Sequence, residues 1–93
     1  MYELDCRYDS RKSFYGKAVV SIKEMDDWRE IELHSYNTLV AKIIDTNKNT
    51  KYIYYGKYSQ TTTRHQKEFF KQNGLNDKQI KELFKNGTLI INN

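Results

Sequence analysis

The chain has 93 residues, of which 38% are hydrophobic and 30% charged, and these proportions exclude a disordered chain. With a single cysteine it can form no internal disulfide, and it lacks the ligand set of a zinc motif. No apolar run approaches the roughly 20 residues that cross a bilayer, and the N-terminus lacks a signal-peptide core. We therefore predict one cytoplasmic domain over residues 1–93.

Charge is distributed unevenly along the chain, whose net charge is +4. Residues 1–56 carry nine Lys or Arg and nine Asp or Glu, whereas residues 57–93 carry seven and three, so the excess lies in the C-terminal part. Within the first part there is an acidic cluster, which comprises Glu24, Asp26, Asp27, Glu30 and Glu32. This separation predicts a molecule that is acidic on one side and basic on the other.

Short β-branched or alternating segments predict the strands, which lie at residues 17–23, 29–34, 38–45 and 51–55, with weaker candidates at 2–8 and 88–91. The run from Leu39 to Ile44 also fits a helix, but its short length between two turn-forming segments favours a strand. The connections are too short for crossover helices, so we expect an antiparallel meander.

The hydrophobic period changes to that of a helix over residues 61–73. Ser59 or Thr61 can cap the start of this helix through a hydroxyl group. Gly74 follows where a left-handed residue often ends a helix. The pattern predicts that Thr62 and Phe69 lie on the buried side of this helix.

A second helix is predicted over residues 77–86. Asn76 is a suitable N-cap, Gln79 stands where a capping box needs it, and Gly87 can end the helix. The predicted fold is therefore α+β, with an antiparallel sheet of four to five strands and two C-terminal helices packed on it.

Each predicted helix carries a stripe of basic residues, namely Arg64, Lys67 and Lys71 on the first and Lys78, Lys81 and Lys85 on the second. The functional interpretation is attraction to phosphates or to an acidic protein surface. The alternative is an ordinary solvated helix face. Because the second helix exposes Lys rather than Arg, Asn or Gln, we do not favour sequence-specific reading of bases.

Aromatic and hydroxyl residues are concentrated between Tyr52 and His65. The tyrosines of this segment could stack on bases, although alternating tyrosines are more typical of sheet packing. The hydroxyls of residues 61–63 could hold an anion at the helix start, whereas ordinary capping needs only one of them.

We predict neither an enzyme nor a protein with a cofactor or metal. His34 and His65 are the only histidines, and no nucleophile motif, Gly-rich phosphate loop or metal-ligand spacing is present. The carboxylates of the acidic cluster would be scattered along a strand rather than folded into one cage.

Three phrases in the chain are distinctive: SFYGKA at 13–18, SYNTLVA at 35–41, and YSQTTTRH at 58–65 with KEF at 67–69. On these phrases the chain resembles a family of small uncharacterised proteins from phages and mobile elements of Gram-positive bacteria, over residues 13–72. It is more weakly similar to small anti-CRISPR proteins. Residues 75–93 lie outside the resemblance.

The resemblance implies a phage-type accessory protein that inhibits a host defence nuclease, such as a CRISPR effector, by stoichiometric binding in the host cytoplasm. The alternative is a small nucleic-acid-binding or regulatory module that uses the basic helices, and a third is a homodimer joined through exposed tyrosines. The residues expected to contact a partner are Arg64, His65, Lys67, Lys71, Lys78, Lys81 and Lys85 on the basic side and Asp26, Asp27, Glu30 and Glu32 on the acidic side.

Overall fold

The fold contains six strands and two helices, in a computed structural model that describes residues 1–11 and 13–92. Lys12 and Asn93, which belong to the predicted domain, lie outside the described residues. In chain order the elements are β1 (Tyr2–Glu3), β2 (Ala18–Glu24), β3 (Trp28–Ser35), β4 (Thr38–Thr46), β5 (Asn49–Tyr54), α1 (Gln60–Gln72), α2 (Asp77–Asn86) and β6 (Thr88–Asn92).

The strands form one antiparallel sheet in which each strand neighbours the next along the chain, from β1 to β6. The predicted α+β class and the C-terminal helices are therefore confirmed. The predicted number of four to five strands was too low, because the described residues contain six. The edge strands β1 and β6 coincide with the two weaker candidates of the sequence, whose short alternating segments leave little periodicity to read.

Both helices pack on one face of the sheet, with α1 against β3 and β4 and α2 against β5 and β6. The apolar core lies between these two layers and includes Val20, Ile31, Leu33, Val40, Ile43, Phe69, Phe70, Ile80 and Leu83. The opposite face of the sheet is not covered by either helix. Along β3, buried residues of the core face alternate with partly exposed residues of the open face, as expected for a sheet with one solvated face.

Helix α1 begins where a hydroxyl cap is available. Ser59 has extended backbone angles, and its Oγ accepts a hydrogen bond from the Thr62 amide at 3.1 Å. The helix ends before Gly74, whose φ of +95° is readily adopted by glycine. The helix therefore starts one residue earlier than predicted and uses Ser59 rather than Thr61 as its cap.

Helix α2 has the bounds that its capping signals predicted. The Asn76 side chain accepts from the Gln79 amide at 2.8 Å, and the Gln79 side chain accepts from the Asn76 amide at 2.9 Å. Gly87 ends the helix in the left-handed region at φ +84°. These local hydrogen bonds satisfy amides at the start of α2 that have no partner within the helix.

A tight hairpin joins β3 to β4 and fixes the position of Ser35, which faces α1 in the interior. Tyr36 and Asn37 form its two-residue turn with φ values of +50° and +67°. Such a turn matches the twist of antiparallel strands, and Asn tolerates these angles better than Tyr does. The turn leaves Ser35 buried at the end of β3, facing α1.

The N-terminal segment differs from the prediction of a strand over residues 2–8. Only Tyr2 and Glu3 pair with β2, and the chain then crosses to the outer side of α1. The reason lies in its amides, because those of residues 7–9 donate to the Glu68 side chain instead of to a neighbouring strand. Tyr8 is consequently 60% exposed rather than part of the sheet.

Candidate functional site

A cavity of about 300 Å³ lies between the N-terminal segment and α1, and we call it the α1 cleft. Its lining residues are Tyr8, Asp9, Gln60, Thr63, Arg64, Lys67, Glu68 and Lys71. The basic stripe predicted on the first helix thus lies along one wall. The other wall is the N-terminal segment, whose position the sequence did not predict.

The three cations of the α1 cleft differ in how far they are neutralised. Arg64 Nη1 contacts Asp9 Oδ1 at 3.2 Å, and Lys71 Nζ contacts Asp77 Oδ1 at 3.1 Å. Lys67 is exposed, and among residues 1–11 and 13–92 no carboxylate lies within 4.0 Å of its Nζ. Lys67 is therefore the cation of this cleft that is most available to an external anion.

Glu68 shapes the α1 cleft by holding its second wall. Its Oε1 accepts from the amides of Arg7, Tyr8 and Asp9 at 3.2, 2.9 and 2.9 Å. Its Oε2 accepts from Gln72 Nε2 at 2.6 Å. Because hydrogen bonds to a carboxylate are strong, this buried side chain fixes the N-terminal segment against α1.

The α1 cleft continues toward the start of α2 as a second cavity of about 440 Å³, which shares Tyr8 and Lys71 with the first. The stripe of Lys78, Lys81 and Lys85 is exposed but lines neither cavity. The structure therefore brings only the first predicted stripe into the cleft, with Lys71 reaching from it to the α2 N-terminus.

His65 does not lie on the surface where a partner-binding residue was expected. Only 1% of its surface is exposed, because Phe14 packs edge-on against its ring at 4.5 Å between centroids and Tyr36 lies on its other side at 5.8 Å. Its Nδ1 lies 2.8 Å from Ser35 Oγ. The side chain of His65 therefore has almost no exposed surface for the partner contact that the sequence analysis predicted.

The Ser35–His65 pair belongs to a buried chain of hydroxyl groups. Ser59 Oγ donates to Thr62 Oγ1 at 3.2 Å, and Thr62 Oγ1 lies 2.9 Å from Ser35 Oγ. If each hydroxyl donates to the next, Ser35 donates to Nδ1 of a neutral His65. Burial lowers the pKa of His65, which favours this neutral form.

A serine next to a histidine also occurs in hydrolases, but here both side chains are buried. Neither of them lines the α1 cleft. We therefore interpret the pair as a structural link between β3 and α1.

The hydroxyls of residues 61–63 are largely occupied within the protein. Thr62 belongs to the buried chain, and Thr63 Oγ1 donates to the Ser59 carbonyl at 2.9 Å. Thr62 thus links the start of α1 to β3, and Thr63 supports the first turn of the helix, which gives structural roles to two of the three hydroxyls that were considered for an anion.

The three distinctive phrases of the sequence converge at this junction. Phe14 comes from the first, Ser35 and Tyr36 from the second, and His65 from the third. Gln66, the residue after the YSQTTTRH phrase, donates from Nε2 to the Val40 and Gly56 carbonyls at 3.0 and 3.1 Å. The phrases therefore encode a tertiary contact between the sheet and α1.

The acidic cluster is divided by the fold. Glu30 and Glu32 lie on the open face of β3, where Lys42 Nζ contacts them at 3.7 and 3.1 Å. The hydrogen bond with Glu32 raises the pKa of Lys42, which stays charged. Asp26 and Asp27 lie exposed in the β2–β3 turn. Glu24, at the end of β2, is exposed as well, and among residues 1–11 and 13–92 none of these three carboxylates forms an ion pair.

The tyrosines of β5 pack within the protein, whereas those after it are exposed. Tyr52 is buried, and the Tyr54 ring stacks on Phe84 at 4.1 Å between centroids. Tyr55 and Tyr58 are exposed. Neither of these two lines the α1 cleft, so its aromatic residue is Tyr8, which the sequence analysis had placed in a strand.

Over the part of the chain that the structure describes, no three His, Cys, Asp or Glu side chains come together as metal ligands, and no helix is long and apolar enough to span a membrane. Cys6 is half-buried, and burial together with nearby Asp9 and Glu68 raises the pKa of its thiol, which makes it a poor nucleophile.

Comparison with known proteins places the domain in a family. A family model described as a family of unknown function, DUF8033, matches residues 2–86. The chain belongs to the DUF8033 family. The match covers β1 through α2, so the second helix is part of the family domain. No curated protein and no solved structure matches the chain.

Four residues that line the α1 cleft were missed by the sequence analysis, namely Tyr8, Asp9, Gln60 and Glu68. For Glu68 the sequence offered a local signal of partial burial. It directly precedes Phe69, so it lies about 100° around the helix from that residue, at the border of the buried side. Nothing local marked Tyr8 or Asp9, since their position depends on a contact about 60 residues away along the chain.

Proposed function

We propose that this DUF8033 domain is a non-enzymatic binding module that holds the phosphate backbone of nucleic acid in the α1 cleft, without reading its sequence. The observation that carries the proposal is the alignment of Arg64, Lys67 and Lys71 along one concave wall. Lysine and arginine side chains bind phosphates of any sequence, because the contact is electrostatic.

The charges around the cleft support an anionic ligand. The segment from Gln60 to Asn86 carries six Lys or Arg and three Asp or Glu. One of these carboxylates, that of Glu68, is buried and already accepts three backbone amides. The solvent-facing charge of the helices is therefore predominantly positive, and it would attract a polyanion at low ionic strength.

Tyr8 favours single-stranded over double-stranded nucleic acid. It stands exposed at the rim, beside Lys71 in both cavities. An aromatic ring next to backbone-binding cations provides a stacking platform for an unpaired base, and such stacking contributes about 1–3 kcal/mol per base. A duplex keeps its bases stacked on one another and cannot use the ring in this way.

The proposal is tested by measuring the binding of a fluorescent single-stranded oligonucleotide over a range of salt concentrations. The Lys67→Gln/Lys71→Gln variant should bind more weakly. Its slope of log affinity against log salt should be smaller by about 1.4, since each lost phosphate contact removes about 0.7. Tyr8→Ala should weaken binding of the single strand and leave the slope unchanged.

The matched control is Lys17→Gln/Lys48→Gln, which removes the same charge from two exposed lysines that do not line the cleft. This variant should retain the slope of the unaltered protein. Equal losses in the two double variants would contradict a role for the α1 cleft and leave only a nonspecific effect of net charge.

A second candidate function is stoichiometric inhibition of a host defence nuclease, as a phage-type accessory protein in the host cytoplasm. The observation that favours it is the β2–β3 turn, where exposed Met25 and Trp28 flank the free carboxylates of Asp26 and Asp27. Exposed Trp and Met are enriched at protein interfaces, and carboxylates complement the basic nucleic-acid channel of an RNA-guided nuclease.

Inhibition is tested by titrating the protein into a cleavage assay with a purified RNA-guided nuclease. We expect cleavage to stop near an equimolar ratio, and the Asp26→Asn/Asp27→Asn/Trp28→Ala variant to inhibit at least tenfold less. Glu82→Gln, which neutralises an exposed carboxylate on α2, serves as the control. Undiminished cleavage at a large excess of protein would rule the function out for that nuclease.

A further inference from the structure

Strand β6 forms an edge of the sheet, because it pairs with β5 alone. One hydrogen bond, which Tyr54 N donates to Gly87 O at 3.0 Å, shows which residues of β6 direct their backbone groups toward β5. Hydrogen-bonded pairs alternate along an antiparallel ladder, so the next ones in phase involve Leu89 and Ile91. The backbone groups of these two residues therefore point toward β5.

The backbone groups of the alternate residues, Thr88, Ile90 and Asn92, consequently point away from the sheet. Within the part of the chain that the structure describes, no hydrogen bond reaches their amides or carbonyls. A row of free donors and acceptors on an edge strand is a template for another strand.

Edge strands usually carry features that discourage such pairing, and β6, with the sequence TLIIN, lacks three of the common ones, namely charge, proline and a bulge. The opposite edge is different, since β1 has only two residues and the part of β2 beyond it carries Lys23 and Glu24. The two edges of this sheet are thus unequally protected.

Apolar side chains accompany the free backbone groups on both faces of β6. Ile90 is 54% exposed on the open face of the sheet. On the helix face, Leu89 and Ile91 are only partly buried against the core. A strand added at this edge would cover apolar surface on both sides of the sheet at once, which is the arrangement expected of an interface.

We propose that two copies of this chain associate through β6, which pairs antiparallel with β6 of the partner to make one continuous sheet. With the twofold axis at Ile90, each Ile90 opposes its own copy and Thr88 opposes Asn92. This register lets every outward amide and carbonyl of both strands find a partner. A self-complementary strand of this kind forms a closed dimer rather than a fibre.

On the open face of the sheet, electrostatics permit this pairing. The nearest charged residue on the open face is Lys51, which lies across from Ile90 on β5. In the dimer the two Lys51 residues would be three strand spacings apart, or about 14 Å. This distance exceeds the screening length of about 8 Å at physiological ionic strength, so their repulsion is weak. Association should therefore strengthen slightly with salt, in contrast to binding of nucleic acid.

The proposal is tested by sedimentation velocity over a wide range of protein concentration. The unaltered chain should approach twice its monomer mass of 11.2 kDa as concentration rises. Ile90→Lys, which places two like charges at the axis, should remain a monomer. Ile90→Pro should do so as well, because it removes an outward amide without breaking a bond to β5. Circular dichroism checks that both variants stay folded.

The matched control is Ile22→Lys, which makes the same change at an exposed isoleucine on β2, near the opposite edge. This variant should dimerise like the unaltered chain. A chain that stays monomeric at all concentrations overturns the proposal and leaves the edge to a strand from another protein. Loss of the dimer in Ile22→Lys but not in Ile90→Lys overturns it too, in favour of the β2 edge.

The register is tested by oxidation of single-cysteine variants in a Cys6→Ala background. Ile90→Cys should form an intermolecular disulfide, because directly opposed residues have Cα atoms about 5.5 Å apart, within the range of a disulfide. Thr88→Cys should not, since residue 88 opposes residue 92 of the other copy. Cross-linking of both variants to the same extent would contradict the twofold register.

Discussion

At the scale of single residues, His65 shows how a polar side chain can be part of a core. Its Nδ1 lies 2.8 Å from Ser35 Oγ, and the rings of Phe14 and Tyr36 pack against it. A charged imidazolium could still donate from Nδ1 to Ser35, but it would have to lose its hydration in the interior, which disfavours the charge. The interior around His65 therefore selects one protonation state.

This selection predicts a dependence of stability on pH. Burial lowers the pKa of His65 below its ordinary value of 6.5, so between the two values the unfolded chain binds a proton that the folded chain does not. The contribution of neutral His65 to the free energy of unfolding is then fully present above about pH 6.5. As the pH drops below this value, the free energy of unfolding falls by at most about 1.4 kcal/mol per pH unit.

The measurement is urea denaturation of the His34→Gln variant between about pH 7.5 and about pH 5.5, where carboxylates of ordinary pKa remain ionised. In this variant His65 is the one histidine left in the sequence. A free energy of unfolding that stays constant over this range would contradict a buried neutral His65.

At the scale of elements, α2 is held at both ends by local interactions. A reciprocal capping box closes its start and a left-handed glycine closes its end. Its buried side is narrow, with Ile80 and Leu83 fully buried among its ten residues. Isolated helices of this length are only marginally stable in water. We therefore expect the two caps to determine where α2 begins and ends.

Replacement of Asn76 by Ala should therefore lower the free energy of unfolding by about 1 kcal/mol, since it removes the acceptor for the Gln79 amide. Chemical denaturation at neutral pH measures the change. Replacement of exposed Asn47, which is not part of a helix cap, by Ala is the control and should change stability by less than about 0.5 kcal/mol. Similar losses in both variants would mean that the cap is not the cause.

At the scale of the whole molecule, the features with local signals were predictable and those created by distant contacts were not. Asn76 and Gly87 gave the bounds of α2, because capping depends on residues a few positions apart. The burial of His65 and Glu68 could not be predicted in the same way. His65 is buried against a partner 30 residues away, and Glu68 binds a segment about 60 residues away. Only their positions in the helix, next to Gln66 and Phe69, indicated that they lie near its buried side.

The candidate site follows the same rule. Arg64, Lys67 and Lys71 share a helix face because of their spacing, and this could be predicted from the sequence. The wall that turns this face into a cleft could not, because it is made by the N-terminal segment. The acidic cluster could be predicted as a local run of carboxylates, but its availability to a partner could not. Lys42 on the neighbouring strand pairs with two of its members, Glu30 and Glu32.

The hydrogen bonds between Glu68 and the N-terminal segment also bear on the order of events during synthesis. Residues 7–9 leave the ribosome about 60 residues before the side chain that holds them. At about 5–20 residues per second, this separation corresponds to a delay of about 3–12 s. The N-terminal segment that forms the second wall of the α1 cleft is thus synthesised early but can bind Glu68 only late. Strands β1 to β5 have all been synthesised before the cleft can form.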